Sequence, residues 1–544
     1  MEKILKKYEI LNKFSEKIEK NDEKIENLKN FDEKIDNNGE ILDSEKTKKF
    51  KINNNLKIYL ISLLVSFIVL MFGSNNSFLY GFNDCIDLNW FITMGQGLLD
   101  GKIPYRDLFE QKGPLLYFVF AFIALFNNPF IVIWIIEIIC FSIFLFYSYK
   151  IANRFLNSMY SYIAIVILSV LIVTSRFFYM PGGAVEEYSL PILAYFLYCM
   201  FAYVVDKKQF TLARSLIIGL LVGIMLWIKF LLLLVPIVML VVYFVYSIKR
   251  KEYAKLIYSL LMMILGVAIV SLPILLFYGI NGALDDLFYV YLINNLTAYS
   301  NASSNFGIDD EIKTYSIVLM VISVLIIVAI ILFGAIKYIL TYKKQSIWLI
   351  CILAVSAVIQ AIIKLYLHYF MPILMFLIFG IVFILKPLQN KEIKHKKLWT
   401  TIFALSMIVV TILFGNHTHK IFIKDEEYPQ VYFAEIIRSY NYENPTLFCY
   451  NMKDYGFYNA LNISPTTYYY AQNNISIESL PAMYESFDNT VKNAETDFVV
   501  VFEPVYNEKI ELFTNYEVIA QKDYRYYKSF YECHEYSCLL LKKI

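Results

Sequence analysis

Eleven stretches of this 544-residue chain are apolar over the length a bilayer core demands, which is about 20 residues for a helix. They run at 56–74, 129–149, 158–174, 188–205, 212–229, 231–248, 256–279, 315–340, 346–364, 368–386 and 399–415. Few folds accept that pattern. Lipid offers no partner for backbone N–H and C=O groups, and a helix satisfies them within one segment. Hydrophobic residues make up 58% and charged residues 18% of the chain, against about 45–50% and about 25% in soluble domains. A soluble globular enzyme and a disordered chain are excluded. Seven scattered cysteines do not make a disulfide framework, and a formal net charge of +2 gives no basis for nucleic-acid binding. The expectation is a polytopic α-helical membrane protein with about eleven transmembrane helices between residues 56 and 415.

Basic residues set the topology. Lys150 and Arg154, Lys207 and Lys208, Lys249 to Lys251, Lys343 and Lys344, and Lys391 to Lys397 share one side, provided that 114–126 does not cross. That run (PLLYFVFAFIALF) is below spanning length, so it reads as a re-entrant or interfacial helix in the first outer loop. The Lys-rich N-terminus joins the basic, cytoplasmic side of the plasma membrane, and the C-terminus falls outside.

Residues 1–55 are of another kind. Ile4, Leu11, Ile18 and Ile25 recur every seven residues, with Phe14, Leu28 and Ile35 on a companion seam and Lys and Glu between. The pattern reads as a cytoplasmic coiled coil or long amphipathic helix that recruits a partner or self-associates. A solvated charged tail is the bland alternative. A Lys/Glu-rich start with no apolar run before Leu56 argues against a signal peptide. Residues 416–544 return to mixed composition, with strand-like runs at Phe498–Phe502 and Cys538–Leu541 and an amphipathic stretch near Tyr432–Tyr440. They read as a small extracytoplasmic α/β domain. Cys533 and Cys538, near its end, are either free or bridged.

Two outer loops carry the chemistry. Loop 75–128 holds Asp84, Asp87, Asp100, Asp107 and Glu110 with Lys102, Arg106 and Lys112. Carboxylates and fixed cations at a membrane interface suit a reaction in which a hydroxyl loses its proton to a general base and a phosphate departs. Loop 175–187 ends in Pro181-Gly182-Gly183-Ala184-Val185-Glu186-Glu187, where paired glycines permit close backbone approach and two acids stand at the start of the next span.

The stretch Asp87-Leu-Asn-Trp-Phe-Ile-Thr-Met-Gly95, then Gly101-Lys-Ile-Pro-Tyr-Arg-Asp107, then Glu110-Gln-Lys-Gly-Pro114, resembles the first-loop signature of GT-C membrane glycosyltransferases. It is most similar to the bacterial family-39/83 type, akin to protein O-mannosyltransferases and the lipid A aminoarabinose transferase. Gly182, Gly183, Glu186 and Glu187 match that group's second-loop pattern, and Lys364-Leu-Tyr-Leu-His-Tyr-Phe-Met-Pro372 resembles a segment of a late span. The resemblance covers residues 55–415 and implies a GT-C-like fold and sugar transfer from a polyprenyl-phosphate donor to an envelope glycan, lipid or protein.

By that resemblance Asp87 is the base of an inverting displacement and Glu186 the second acid. Lys112, with Arg106, Lys229, His368 and Tyr369, holds the donor phosphate. Glu186 and Glu187 stand where some relatives bind a divalent metal (Mg or Mn), while Asp107, Gly182 and Gly183 support the loops. The chain departs from the family at Asp87-Leu88, where a second acid is common. Simpler roles compete: Asp87 as a helix N-cap, Asp107 fixing a turn, Lys229 snorkelling to the interface and His368 as an interfacial histidine. Two other function classes compete as well. A transporter or flippase of lipid-linked saccharides calls for internal repeats and midplane charges, and neither is evident. A non-catalytic envelope assembly protein would work through its coiled coil.

Overall fold

A computed structural model describes residues 53–175, 182–297, 314–362, 367–392, 394–415, 417–473, 475–529 and 532–544. Residues 54–544 form one compact unit. The heptad segment 1–55 lies almost wholly outside the described residues.

Each expected span is built on a helix. In order the helices are α1 (Asn54–Gly73), then α2 (Ile86–Leu99) and α3 (Pro114–Ala124) in the segment between the first two expected spans, α4 (Pro129–Ala152), α5 (Ser158–Val173), α6 (Ser189–Val204), α7 (Leu212–Ile228), α8 (Leu234–Lys249) and α9 (Tyr253–Ile280). After these come α10 (Thr314–Tyr342), α11 (Ile347–Ile362), α12 (Leu377–Leu385) and α13 (Lys396–Phe414). Among the described residues seven helical segments are long and apolar enough to cross a bilayer: 54–73, 129–152, 185–204, 230–249, 253–280, 321–342 and 368–385. Four other expected spans are shorter apolar helices, as is α3. With 11 residues, α3 is about 16 Å long, half of a bilayer core. It packs beside α2 and α7, with Leu116, Tyr117, Phe120 and Ile123 buried.

Beyond α13 come helices α14 (Pro429–Ser439) and α15 (Pro481–Lys492) and a four-stranded sheet: β1 (Leu447–Cys449), β2 (Phe498–Phe502), β3 (Tyr516–Ser529) and β4 (Glu532–Lys543). The strand order is β1-β2-β4-β3, with β1 parallel to β2 and the other pairs antiparallel. Side chains alternate between the two faces of a strand. Val499, Val501, Leu539 and Leu541 pack with Met483, Phe487 and Val491 of α15. Phe498, Val500 and Leu540 join a second cluster that runs through Phe433 and Ile437 of α14 into the membrane helices. These strands and helices are tied to the membrane helices by side-chain contacts. Lys420 Nζ pairs with Asp84 at 2.6 Å, Tyr524 donates to the same carboxylate at 2.9 Å, and Thr93 of α2 donates to Asp454 at 2.6 Å. Cys538 is a free, buried thiol.

Candidate active site

The Lys112-Gly113-Pro114 step opens α3 with proline in its first turn, where the missing N–H costs nothing. The Gly113 N–H donates to the Ile228 carbonyl at 2.9 Å. A Cβ at position 113 would stand 2.1 Å from the Trp227 carbonyl oxygen. Only glycine lets this chain lie against the end of α7, and the contact brings Lys112 beside residue 229. Glu110 then fixes the lysine. One of its oxygens accepts the Lys112 N–H at 2.8 Å and the Tyr117 hydroxyl, while the other lies 3.7 Å from Lys112 Nζ. Sequence reading quoted Glu110 in the motif and gave it no role.

Lys229 follows the last residue of α7 in extended backbone, with φ −162°. Its side chain turns inward instead of snorkelling. The ammonium sits 2.5 Å from Glu186 Oε1 and 3.6 Å from the ring centroid of Tyr369, and both Lys229 and Glu186 are buried. An ammonium over an aromatic face next to a carboxylate is held electrostatically from two sides. His368 packs edge-on to Tyr369 with ring centroids 4.7 Å apart, and the charges of Glu186, Lys229, Asp87 and Lys112 all reach it.

Asp87 lies in the first turn of α2, and Cys85 takes the N-cap position. The capping role is therefore not the one Asp87 plays. The N-terminal amides of α2 favour a carboxylate there. Among the described residues Asp87 makes no hydrogen bond or ion pair, and it is half-buried. Phe91, one turn further along the same helix face, has its ring 5.9 Å from Lys112 Nζ. The structure thus gathers Asp87, Lys112, Glu186, Lys229, His368 and Tyr369 around one region.

The other expected residues go elsewhere. Arg106 is occupied at the outer surface, where it pairs with Asp107 at 2.9 Å and donates to the Asn281 carbonyl at 3.0 Å. Asp107 also accepts the Ile103 N–H at 2.7 Å, closing the turn in which Tyr105 adopts φ +73°. The bond from Arg106 holds the Asp107 carboxyl below its ordinary range. Gly182 has φ +94°, a conformation that favours glycine. Gly183 packs so closely that a Cβ there would stand 2.3 Å from Cys85 Sγ. Glu187 faces Glu137 of α4, a buried acid that sequence reading passed over inside a span. With Glu186 turned to Lys229 and Glu187 to Glu137, the acidic pair does not fit the divalent ion expected there. Among the described residues no group of three or more His, Cys, Asp or Glu is placed to hold a metal.

A long apolar cavity of about 440 Å³ runs between α3, α4, α6 and α7. Its walls include Leu116, Tyr188, Ile224 and Ile228. Ile228 immediately precedes Lys229, Tyr188 follows Glu187, and Leu116 lies one turn past Lys112.

The family of dolichyl-phosphate-mannose-protein mannosyltransferases matches residues 111–277. No curated protein is found as a relative by sequence. In shape, the chain is similar to ArnT from Cupriavidus metallidurans, solved both bound to undecaprenyl phosphate and in the apo state. Each match has a TM-score of 0.54 at 11% identity and covers 89% of this chain and 97% of that one. A looser likeness, with TM-score 0.44 and 12% identity over 81% of this chain and 67% of the other, is to the Archaeoglobus fulgidus oligosaccharyltransferase complex with Zn and sulfate. The sequence match runs from the segment before α3 into α9, and the shape extends over nearly the whole chain: this is a membrane protein with the fold of the GT-C glycosyltransferase superfamily.

Proposed function

We propose that the protein transfers a sugar from a polyprenyl-phosphate donor to an acceptor hydroxyl at the outer face of the plasma membrane, with its N-terminus in the cytoplasm. The observation that carries the reading is that the apolar cavity is walled by residues adjoining the site's charged groups. A polyprenyl tail suits such a cavity, and its phosphate then reaches Lys112 and Lys229. The ArnT structure bound to undecaprenyl phosphate supports the same donor class.

In the reaction Asp87 takes the proton of the acceptor hydroxyl, whose oxygen attacks the anomeric carbon. The bond from that carbon to the phosphate oxygen breaks, and polyprenyl phosphate departs with the electron pair. Attack opposite the leaving group inverts the anomeric centre. Lys112 and Lys229 meet the charge that develops on the phosphate, and Glu186 keeps Lys229 in place. No step is assigned to a metal or to Arg106. The acceptor is an envelope glycan, lipid or protein.

Binding of undecaprenyl phosphate tests the reading. A ligand that binds only the native state stabilises it by about 2.7 kcal/mol at one hundred times Kd. Purified wild type and Asp87→Asn are expected to gain thermal stability on titration. Lys112→Ala and Ile224→Trp, which fills the cavity, are expected to lose that gain. Wild-type protein that is folded and not stabilised overturns the proposal.

A further inference from the structure

Glu137 stands inside α4 and is buried, as is Glu187 on the 185–188 turn that packs against α4, and among the described residues Glu187 Oε2 is buried with no hydrogen-bond partner. Among the described residues no Lys or Arg forms an ion pair with either one. Two bare carboxylates cannot share such a place, because like charges in contact disfavour ionising both. The surroundings supply hydrogen-bond donors instead. Ser74 donates to Glu137 Oε2 at 2.6 Å and Asn76 to Oε1 at 3.4 Å. The backbone N–H of Ala184 donates to Glu187 Oε1 at 3.4 Å, and Asn83 donates to the Gly182 carbonyl at 3.5 Å. The chain of contacts continues toward the catalytic segment. Asn83 donates to Asn76 at 2.8 Å and accepts the Cys85 N–H at 3.0 Å, two residues before Asp87. Cys140 and Tyr188 also face the pair.

We propose that Glu137 is a positioning residue: through one proton shared with Glu187 it locks the glycine turn that carries Glu186 to the segment that carries Asp87. The lock deepens the transferase reading, since it sets the distance between the base and the cation that meets the leaving group. Its geometry is testable without any substrate.

Cys85 provides the readout. Gly183 packs directly over its sulfur, and burial pushes the thiol up to about 12, so alkylation in the locked state is slow. Iodoacetamide labelling of Cys85, followed by mass spectrometry on the full-length protein in detergent, is compared in wild type, Glu137→Gln and Glu137→Ala. Glutamine donates an N–H to ionised Glu187 in place of the shared proton, so Glu137→Gln is expected to label at the wild-type rate. Glu137→Ala frees the turn and is expected to label at least tenfold faster. In the infrared, the carbonyl stretch of a protonated carboxyl group in wild type is expected to vanish in Glu137→Gln. Equal labelling of all three proteins, or Glu137→Gln labelling as fast as Glu137→Ala, overturns the lock. Loss of undecaprenyl-phosphate binding in wild type refutes the donor reading and leaves the labelling result standing.

Discussion

Asp84 and Asp87 lie three residues apart in an acid-rich loop, and the structure gives them opposite duties. Asp84 is 1% exposed. Its carboxylate meets the Lys420 ammonium at 2.6 Å and accepts the Tyr524 hydroxyl at 2.9 Å, with the side chains of Lys420 and Asp84 only 5% and 2% exposed. Asp84→Ala removes the carboxylate and leaves the buried ammonium without it, a change that costs about 3–5 kcal/mol. The Tyr524 hydroxyl loses its acceptor too, for roughly 1 kcal/mol more. The double variant Asp84→Ala/Lys420→Met is expected to recover part of that loss, because breaking a buried ion pair costs more than replacing it by apolar groups. Asp87→Asn breaks no hydrogen bond or ion pair among the described residues, and the helix N-terminal field it gives up is worth about 0.3–1 kcal/mol. The assay is the unfolding midpoint in detergent at one fixed scan rate, since irreversible unfolding makes the midpoint rate-dependent. A clear fall for Asp84→Ala, a partial recovery in the double variant and a near-wild-type value for Asp87→Asn are expected. An Asp84→Ala midpoint equal to wild type refutes the reasoning.

Gly113→Ala forces a methyl to within 2.1 Å of the Trp227 carbonyl and costs about 1–3 kcal/mol of overpacking; a weakened thermal response to undecaprenyl phosphate reports the displaced Lys112. Lys229→Met leaves Glu186 buried without its cation, so the unfolding midpoint is expected to fall by the equivalent of about 3–5 kcal/mol, with Glu186→Gln/Lys229→Met less affected than Lys229→Met alone. Burial pushes the Asp454 carboxyl up to about 6, above its unfolded value. The native state therefore binds the extra proton, and the stability this contributes is present below about pH 4 and lost as pH rises to about 6, for roughly 3 kcal/mol. Asp454→Asn is expected to flatten the midpoint-against-pH curve across that window. A reductant is expected to leave the midpoint of wild-type protein unchanged, because Cys538 is a free, buried thiol.

Much of the architecture is legible in the chain because a bilayer imposes its own length on each helix. The eleven apolar runs coincide with helices, and α3 is as short as its sequence says. Phe498–Phe502 is a strand and the amphipathic stretch near Tyr432–Tyr440 is helical. The family resemblance names Lys112, Glu186, Lys229, His368 and Tyr369 as candidates, and the structure places Glu186, Lys229, His368 and Tyr369 in contact with one another. Gly113 needs the end of α7 as its neighbour, and that neighbour is itself the residue before Lys229. What the sequence concealed are partners distant along the chain. Lys420 lies 336 positions from Asp84 and Asp454 lies 361 from Thr93, separations at which no local pattern operates. Glu137 was hidden by its setting, a single acid in an apolar run, and only tertiary packing brings it to Glu187. Glu186 and Glu187 are adjacent in sequence and turn to different partners in space, Glu186 to Lys229.

The decisive experiment is turnover by Asp87→Asn. Wild type and Asp87→Asn, both shown to bind undecaprenyl phosphate, are incubated with membranes as acceptor and a panel of radiolabelled undecaprenyl-phosphate sugars, and transfer of label out of the lipid fraction is followed. Wild type is expected to transfer label from at least one donor, and Asp87→Asn at least a hundredfold less, the scale on which a general base contributes, with undecaprenyl-phosphate affinity unchanged. Undiminished transfer by Asp87→Asn would contradict it.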